Sequence, residues 1–356
     1  MTRVLKVGVV GTSRWADLMH LPSLTSHPNA EVTAICGRSK QPAESMAAKY
    51  GISTVYSDFA DLIEDPRLDA VVIASPDDTH YEISMRALER DLHVLCEKPL
   101  ANRLDEAEAM ATAATKAGVT HMTLFTWRWV PVFSRLKSEI DSCTIGKPVA
   151  ARLSFMMNGA FEPGYRWRSD ASRCNGTLGD LGAHLIDLTR WTLGDIASVS
   201  ATVGTLINRN GQEAAPGNDH AVLDLMTHTG VHASLLASNV AMLGDELGRI
   251  EVQVFGNEGS LDGRLVFFGS GAGSTLVRSK SVTQPREVIQ SSTFRSNVEP
   301  PDLLEIFRTA SAGPRAFVEA ALAQRQVEPN LRDGLAVQRV IDAALRSSEA
   351  GCRVDL

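Results

Sequence analysis

Along the first third of the chain, short apolar runs alternate with stretches whose apolar residues recur every three or four positions. Val4 to Val10 is rich in β-formers and stops at Gly11, which predicts a strand leading into a glycine turn. Ala16 to Leu24 has roughly helical spacing, and Pro28-Asn29 closes that unit. The alternation then repeats, with a strand over Glu31 to Cys36, a helix over Pro42 to Tyr50, a short strand at Thr54-Val55-Tyr56 and a short helix over Asp58 to Glu64. Asp69 to Ala74, continuously apolar from Ala70 to Ile73, predicts a strand buried on both faces, as in parallel sheets. Thr79 and Glu82 have capping-box spacing for a helix reaching Arg90. His93 to Cys96 is the next strand, Asn102 the expected cap of a helix through about Ala117, and Thr120 to Phe125 the last strand. This order predicts an α/β fold in which a doubly wound parallel sheet of the Rossmann type carries helices on both faces.

From Pro148 the pattern changes. Val149 to Met157, Ala197 to Asn208, Ala221 to Met226 and Val231 to Asn239 read as strands, the last two joined by a hairpin at Thr227-His228-Thr229-Gly230. Arg249 to Phe255 and Ser260 to Phe268 flank a second turn, Gly256-Asn257-Glu258-Gly259. The expected element is an open, predominantly antiparallel sheet in an α+β domain. Two helical stretches follow, residues 302–324, broken at Gly313-Pro314, and residues 332–350. The expected division is a dinucleotide-binding domain over residues 1–125 and a substrate-binding and oligomerisation domain over residues 126–356.

Bulk composition narrows the function classes. A length of 356 residues fits two domains. The net charge of -7, with no basic tract, argues against nucleic-acid and acidic-membrane partners. Five scattered cysteines without a Cys-x-x-Cys pair suggest reduced thiols and no structural zinc. With no apolar segment before the first glycines and no run of transmembrane length, the expected location is the cytoplasm.

Three stretches carry candidate chemistry. Gly11-Thr12-Ser13-Arg14-Trp15-Ala16 sits where a dinucleotide fingerprint belongs, with Gly11 for the tight turn and Ala16 for close helix packing. Ser13 replaces the middle glycine, the smallest exchange that can also donate a hydrogen bond; an ordinary turn that binds nothing is the plain alternative. At the end of the second strand, Cys36-Gly37-Arg38-Ser39 lacks the acid that would hold a ribose 2′-hydroxyl, and an arginine and a serine suit a 2′-phosphate. NADP is therefore expected ahead of NAD, although Arg38 could also stack on adenine with either cofactor.

The second stretch is Glu97-Lys98-Pro99, a charged pair at the carboxyl end of a buried strand, where ligands of open α/β sheets bind. The third runs from Gly176 to Trp191. There Leu181, Leu185, Leu188 and Trp191 mark a packed stripe, and Asp180 and His184, four apart, fall on one side of a helix. Such a pair can bind and deprotonate a polyol, or can simply be a helix-end aspartate beside a packed histidine. Asp187 is less well placed. A lone Asp-x-x-x-His lacks a third ligand, so no metal site is expected. Tyr165, Trp167 and Arg168 are candidate substrate or nicotinamide contacts, or packing residues of their loop.

Together with Ser75-Pro76-x-x-x-His80, Trp127-Arg128, Trp167-Arg168, Gly179-Asp180-Leu181-Gly182-x-His184, Gly256 to Leu261 and Asp333-Gly334, these motifs resemble those of the glucose–fructose oxidoreductase/inositol dehydrogenase/rhizopine catabolism (Gfo/Idh/MocA) family. The resemblance runs nearly end to end. It implies hydride transfer between NAD(P) and a hydroxyl or ketone of a sugar, cyclitol or related compound, usually in a homodimer or homotetramer. It also implies a catalytic set of Lys98, Asp180 and His184. Gly11, Ser13, Arg14, Trp15, Arg38, Ser39, Ser75, Pro76, His80, Glu97, Lys98, Trp167 and Arg168 become cofactor contacts, and Lys98, Arg128, Tyr165, Asp180 and His184 substrate contacts. His184, with an ordinary pKa of about 6.5, is the natural base, and Lys98 the group that steadies negative charge on the reacting oxygen. Two other readings stay open: an NAD-dependent glycosidase with no net redox change, and a non-catalytic sugar or nucleotide sensor on the same fold.

Overall fold

In the computed structural model, residues 3–162, 167–207, 216–295 and 302–356 are described. The chain forms two compact units, Met1–Phe125 with Leu304–Gln338, and Thr126–Leu303 with Arg339–Leu356. The first unit thus takes in residues 304–338, which the sequence reading placed in the second domain.

The first unit has six parallel strands, β1 (Leu5–Val10), β2 (Ala30–Cys36), β3 (Thr54–Tyr56), β4 (Ala70–Ile73), β5 (His93–Glu97) and β6 (His121–Leu124), in the order β3-β2-β1-β4-β5-β6. Val7, Val9, Val71, Val72, Val94 and Leu95 are fully buried, which is why these strands read as unbroken apolar runs. The connecting helices are α1 (Leu21–Thr25), α2 (Lys40–Tyr50), α3 (Phe59–Ile63), α4 (His80–Glu89) and α5 (Leu104–Ala117). Chain order reverses direction across the sheet between β1 and β4, the position at which doubly wound sheets bind ligands.

Local details depart from the sequence expectations. Residues Ala16–His20 form a π-type turn before α1 rather than one regular helix. The Thr79–Glu82 capping box is not formed: Thr79 is in right-handed helical conformation, and its hydroxyl bonds the Pro76 carbonyl at 2.6 Å and the Ser75 hydroxyl at 2.6 Å. Arg103 rather than Asn102 precedes α5, without a side-chain cap.

The return of residues 304–338 to this unit has a physical reason. β6 is an edge strand, and its outward backbone groups need partners. The Thr123 amide donates to the Pro329 carbonyl at 3.2 Å, the Thr120 hydroxyl to the Arg325 carbonyl at 2.9 Å, and Gln326 Nε2 to the Val119 carbonyl at 2.8 Å. Helices α8 (Ile306–Thr309) and α9 (Pro314–Leu322) lead to this segment, broken at Gly313-Pro314 as the sequence suggests, and α10 (Leu331–Ala350) leaves it. Gly334 lets α10 pack close: a Cβ there would sit 2.5 Å from Thr123 Oγ1 and 2.9 Å from Leu100 Cβ.

The second unit holds a nine-stranded sheet. Its strands are β7 (Pro148–Met157), β8 (Ile196–Gly204), β9 (His220–Thr227), β10 (His232–Ser238), β11 (Gly248–Gly256), β12 (Ser260–Phe267), β13 (Gly273–Ser279), β14 (Glu287–Thr293) and β15 (Val354–Asp355), ordered β14-β13-β12-β11-β7-β10-β9-β8-β15. Only the β7–β10 pair is parallel. The expected strand to Asn208 ends at Gly204, and residues 208–215 lie outside the described ones. β13 to β15 were not anticipated, because β14 is largely exposed and carries no clear alternation.

The central strands alternate strictly. Leu153, Phe155, Leu223, Leu225, Leu235, Val252, Val254 and Leu265 all face the core. The opposite face carries cross-strand polar pairs, including His232–Asp224 at 2.5 Å and Gln253–Asp262 at 3.3 Å. Helices α6 (Pro131–Asp141) and α7 (Ala183–Leu193) belong to this unit. Among the described residues no helix is long and apolar enough to cross a membrane.

A pH dependence follows from the first residue of β6. Burial first, and the Arg332 charge second, lower the His121 imidazole to about 4. Its Nδ1 accepts the Leu331 amide at 3.3 Å, so it is held neutral. Unfolded, the ring takes up a proton near pH 6.5, so this site's stability contribution is intact above about 6.5 and is lost as pH falls toward 4, amounting to about 3 kcal/mol over that window. His121→Asn keeps an acceptor for the amide and removes the titration. Urea midpoints at pH 7 and pH 5 should then differ less than in the native chain; an unchanged difference rejects the assignment.

Candidate functional site

In the first unit, four adjacent strand ends carry the residues singled out in the sequence. β1 ends in the glycine turn. Gly11 has a φ of +123°, and a Cβ there would lie 2.3 Å from the Ala74 carbonyl oxygen, so no other residue fits where β1 and β4 diverge. Ser13, at the middle-glycine position, accepts the Ala16 amide at 3.2 Å through its hydroxyl, which also lies 3.4 Å from the Ala74 carbonyl. It therefore caps the first turn of the following helix. Arg14 is exposed and Trp15 half-buried.

At the end of β2, Gly37 is pressed against the glycine turn, since a Cβ there would sit 2.7 Å from Thr12 Cγ2. Arg38, Ser39 and Lys40 follow, all exposed. The strand does not itself end in an acidic residue, but burial, and then the charges of nearby Asp58 and Asp61, raise the Cys36 thiol. At the end of β4, Ser75 and Pro76 precede a 3-10 turn, and His80 is fully buried behind them. Its Nε2 lies 3.1 Å from the Ser75 carbonyl and its Nδ1 2.9 Å from the Pro99 carbonyl, so one imidazole ties the end of β4 to the Lys98-Pro99 segment. Burial lowers its pKa, against the pull of the two carbonyls.

The end of β5 is held by Glu97. One carboxylate oxygen accepts Trp15 Nε1 at 3.0 Å and lies 2.8 Å from His20 Nε2; the other accepts the Lys98 amide at 3.2 Å. Burial works to raise this carboxyl, but the hydrogen bond and charge of His20, together with Lys98, outweigh it and leave it below the usual range. Glu97 is thus an ionised anchor joining the glycine turn, the π-type turn and the backbone of Lys98. The sequence reading missed His20, although a histidine inside Leu18-Met19-His20-Leu21 is a buried polar group in need of a partner.

In the second unit, a π-type turn, Leu178–Gly182, opens into α7 and carries Asp180 just ahead of His184. Asn218 holds its start, accepting the Leu178 amide at 2.9 Å and donating to the Asn175 carbonyl at 2.9 Å. Arg168 Nε lies 3.4 Å from Asp180 Oδ1, and its guanidinium also covers the Trp167 ring at 4.2 Å. Arg168, expected at the cofactor along with Trp167, thus stands beside Asp180. Tyr165 lies outside the described residues.

His184 is 6% exposed and packs among aromatic rings, with centroids of Trp127 at 5.6 Å and Phe155 at 6.0 Å. The sequence stripe proved too narrow, because α7 is buried on nearly every side from Ala183 to Thr189. Arg128, expected at the substrate, pairs with Asp187. It donates through Nε and Nη2 to Asp187 at 2.8 and 2.5 Å, and both side chains are buried. Asp187, read from the sequence as poorly placed, is the other half of that fork. Among the described residues no cluster of His, Cys, Asp or Glu could hold a metal ion.

Glu97→Gln replaces an oxygen facing an N–H donor by an NH2 group, whichever way the amide turns. One buried donor is then unmatched, which should cost about 1–3 kcal/mol. Chemical denaturation reads this directly, and unchanged stability would contradict the anchor.

Both units have counterparts among known proteins. Residues 5–125 match the oxidoreductase family with an NAD-binding Rossmann fold, and residues 133–262 match the GFO/IDH/MocA C-terminal domain. An uncharacterized oxidoreductase, YrbE of Bacillus subtilis, is 30% identical over 262 residues, 73% of this chain and 74% of that protein. Levoglucosan dehydrogenase of Pseudarthrobacter phenanthrenivorans is 33% identical over 168 residues, 46% of this chain but only 43% of that protein. A solved structure of levoglucosan dehydrogenase in complex with NADH superposes with a TM-score of 0.85 at 25% identity, covering 99% of each chain.

Proposed function

The chain belongs to the Gfo/Idh/MocA family of oxidoreductases, and on that premise we propose that it moves a hydride between NAD(P) and a secondary hydroxyl or ketone of a sugar, cyclitol or related polyol. The observation that carries this reading is the convergence of the Gly11 turn, Ser75-Pro76 and Lys98 at the carboxyl ends of β1, β4 and β5, where the order of the sheet reverses.

The residues present fit a dinucleotide. The close approach of Gly11 to Ala74 brings the helix start after β1 to the strand ends, and helix amides there suit a pyrophosphate. Ser13, Arg14 and Trp15 line that start, and Ser75, Pro76 and His80 form the adjoining strand end. For the ribose, Arg38 and Ser39 are exposed directly after β2, where an NAD-type strand end would carry an acidic residue, which favours NADP over NAD.

The nicotinamide, when bound, supplies the hydride acceptor or donor. Lys98 Nζ hydrogen-bonds the reacting oxygen and steadies the negative charge that develops there, an effect worth several kcal/mol in a water-poor site. The His184 imidazole takes the hydroxyl proton during oxidation and returns it during reduction. Asp180 orients a neighbouring hydroxyl, its carboxylate steadied by Arg168 at 3.4 Å. The protein works as a homodimer or homotetramer in the cytoplasm, with the open face of the second unit's sheet, where Val222 and Phe255 are exposed, as the surface for self-association.

The test is a panel of sugars, inositols and their keto forms with NAD and NADP in parallel, read as nicotinamide absorbance. No turnover on any polyol would reject the activity. Lys98→Met should leave cofactor affinity largely intact and lose turnover by at least about 100-fold; near-native turnover would remove Lys98 from the chemistry. Arg38→Asp should weaken NADP far more than NAD, and equal effects on both would remove the phosphate contact.

A further inference from the structure

We infer that Trp127 and Arg128 are positioning residues for His184, an inference that rests on His184 being the proton-transfer group. The two side chains are consecutive in one short 3-10 turn, Thr126–Trp129, and they grip two residues of α7 that lie three apart. The Arg128 fork closes on both oxygens of Asp187 at 2.8 and 2.5 Å. The Trp127 ring lies against the His184 ring, with centroids 5.6 Å apart and planes tilted by 56°.

Residues three apart on a helix share a face, so Asp187 lies beside His184, one turn further along. A bidentate guanidinium–carboxylate pair is planar and directional, which fixes the roll of the helix at that point. Trp127 is itself held, stacked on Phe267 at 5.4 Å and 25° and set edge-on to Phe155 at 6.0 Å. Phe155 in turn reaches His184 at 6.0 Å. The Arg128 guanidinium also lies 5.7 Å from the Trp191 ring, one further turn along α7.

Stability alone does not explain an ion pair here. Arg128 and Asp187 are 7% and 1% exposed, so both charges are taken out of water, and well-packed apolar residues of similar size often serve a core as well or better. What the pair adds is orientation. A proton-transfer group must sit within hydrogen-bond reach of its target, and a misplacement of about 1 Å can cost about 100-fold in rate.

The double variant Arg128→Met/Asp187→Leu removes both charges together and leaves none uncompensated. Expected are a thermal midpoint close to the native one, an unchanged cofactor dissociation constant and a kcat at least about tenfold lower, with little change in KM for the polyol. Native kcat in this folded variant overturns the inference. So does a parallel loss of kcat and cofactor affinity, which would mark a purely structural pair. Should the double variant not fold, Trp127→Leu and Trp127→Phe decide: Leu should lower kcat and Phe restore most of it, and equal kcat values would overturn the role. His184→Asn separates the two levels of the argument. If it turns over like the native protein, the proton-transfer reading itself fails; if it is slow while the double variant is fast, only the positioning role fails.

Discussion

One buried carboxylate organises the first unit. Glu97 ends β5 in a position where ionisation would ordinarily be resisted, yet it stays charged because three N–H groups converge on it, from Trp15, His20 and the Lys98 backbone. The glycine turn, the π-type turn and the loop carrying Lys98 are therefore held through a single side chain. In a low-dielectric setting such a network is costly when half satisfied and rigid when complete. By accepting its amide, Glu97 fixes the backbone of Lys98 at the strand end. His80 adds a second tie, between the Ser75 and Pro99 carbonyls.

The second unit solves a related problem with different means. Asp180 lies in a π-type turn and His184 two residues past its end, in the first turn of α7. The first unit also has a π-type turn, directly after its glycine turn. Such turns insert an extra residue into a helix and re-aim the side chains around it, and they recur at functional sites. Here each one adjoins residues assigned to chemistry or cofactor contact. The helix that follows Asp180 is wrapped almost entirely by core, so its orientation depends on its contacts rather than on its own amphipathicity. Arg128 and the aromatic group of Trp127, Phe155 and Phe267 supply those contacts.

The sheet beneath α7 illustrates how strongly alternation constrains a fold. Alternate residues along most of β7, β9, β10, β11 and β12 enter the core, and a slip of one residue would exchange that face for one carrying Asp224, His232, Glu251 and Arg264. The register is thereby fixed without help from the turns. The edge strand β6 of the other sheet shows the opposite case, in which a strand cannot satisfy itself. There the chain comes back from residue 325 onward to cover it, which is why the carboxyl-terminal third is shared between the units.

Much of this was legible in residue order alone. The apolar runs of β1, β4 and β5 announced parallel strands because burial on both faces leaves no room for polar positions, and Gly11 announced the turn because only glycine tolerates its φ and its distance from Ala74. Lys98, Asp180 and His184 stood out by residue type and spacing. Other features depended on partners far away in sequence, which no local pattern records. Thr79 looked like a helix cap, but Ser75 and Pro76 claimed its hydroxyl. The pairing of Arg128 with Asp187 and of His20 with Glu97 could not be read from the sequence. By itself the sequence determined most of the element types and the two-sheet architecture, since these follow from periodicity. Only the tertiary structure decided which charges pair and which side chains hold others in place, because a buried charge takes whichever partner folding brings within about 3 Å.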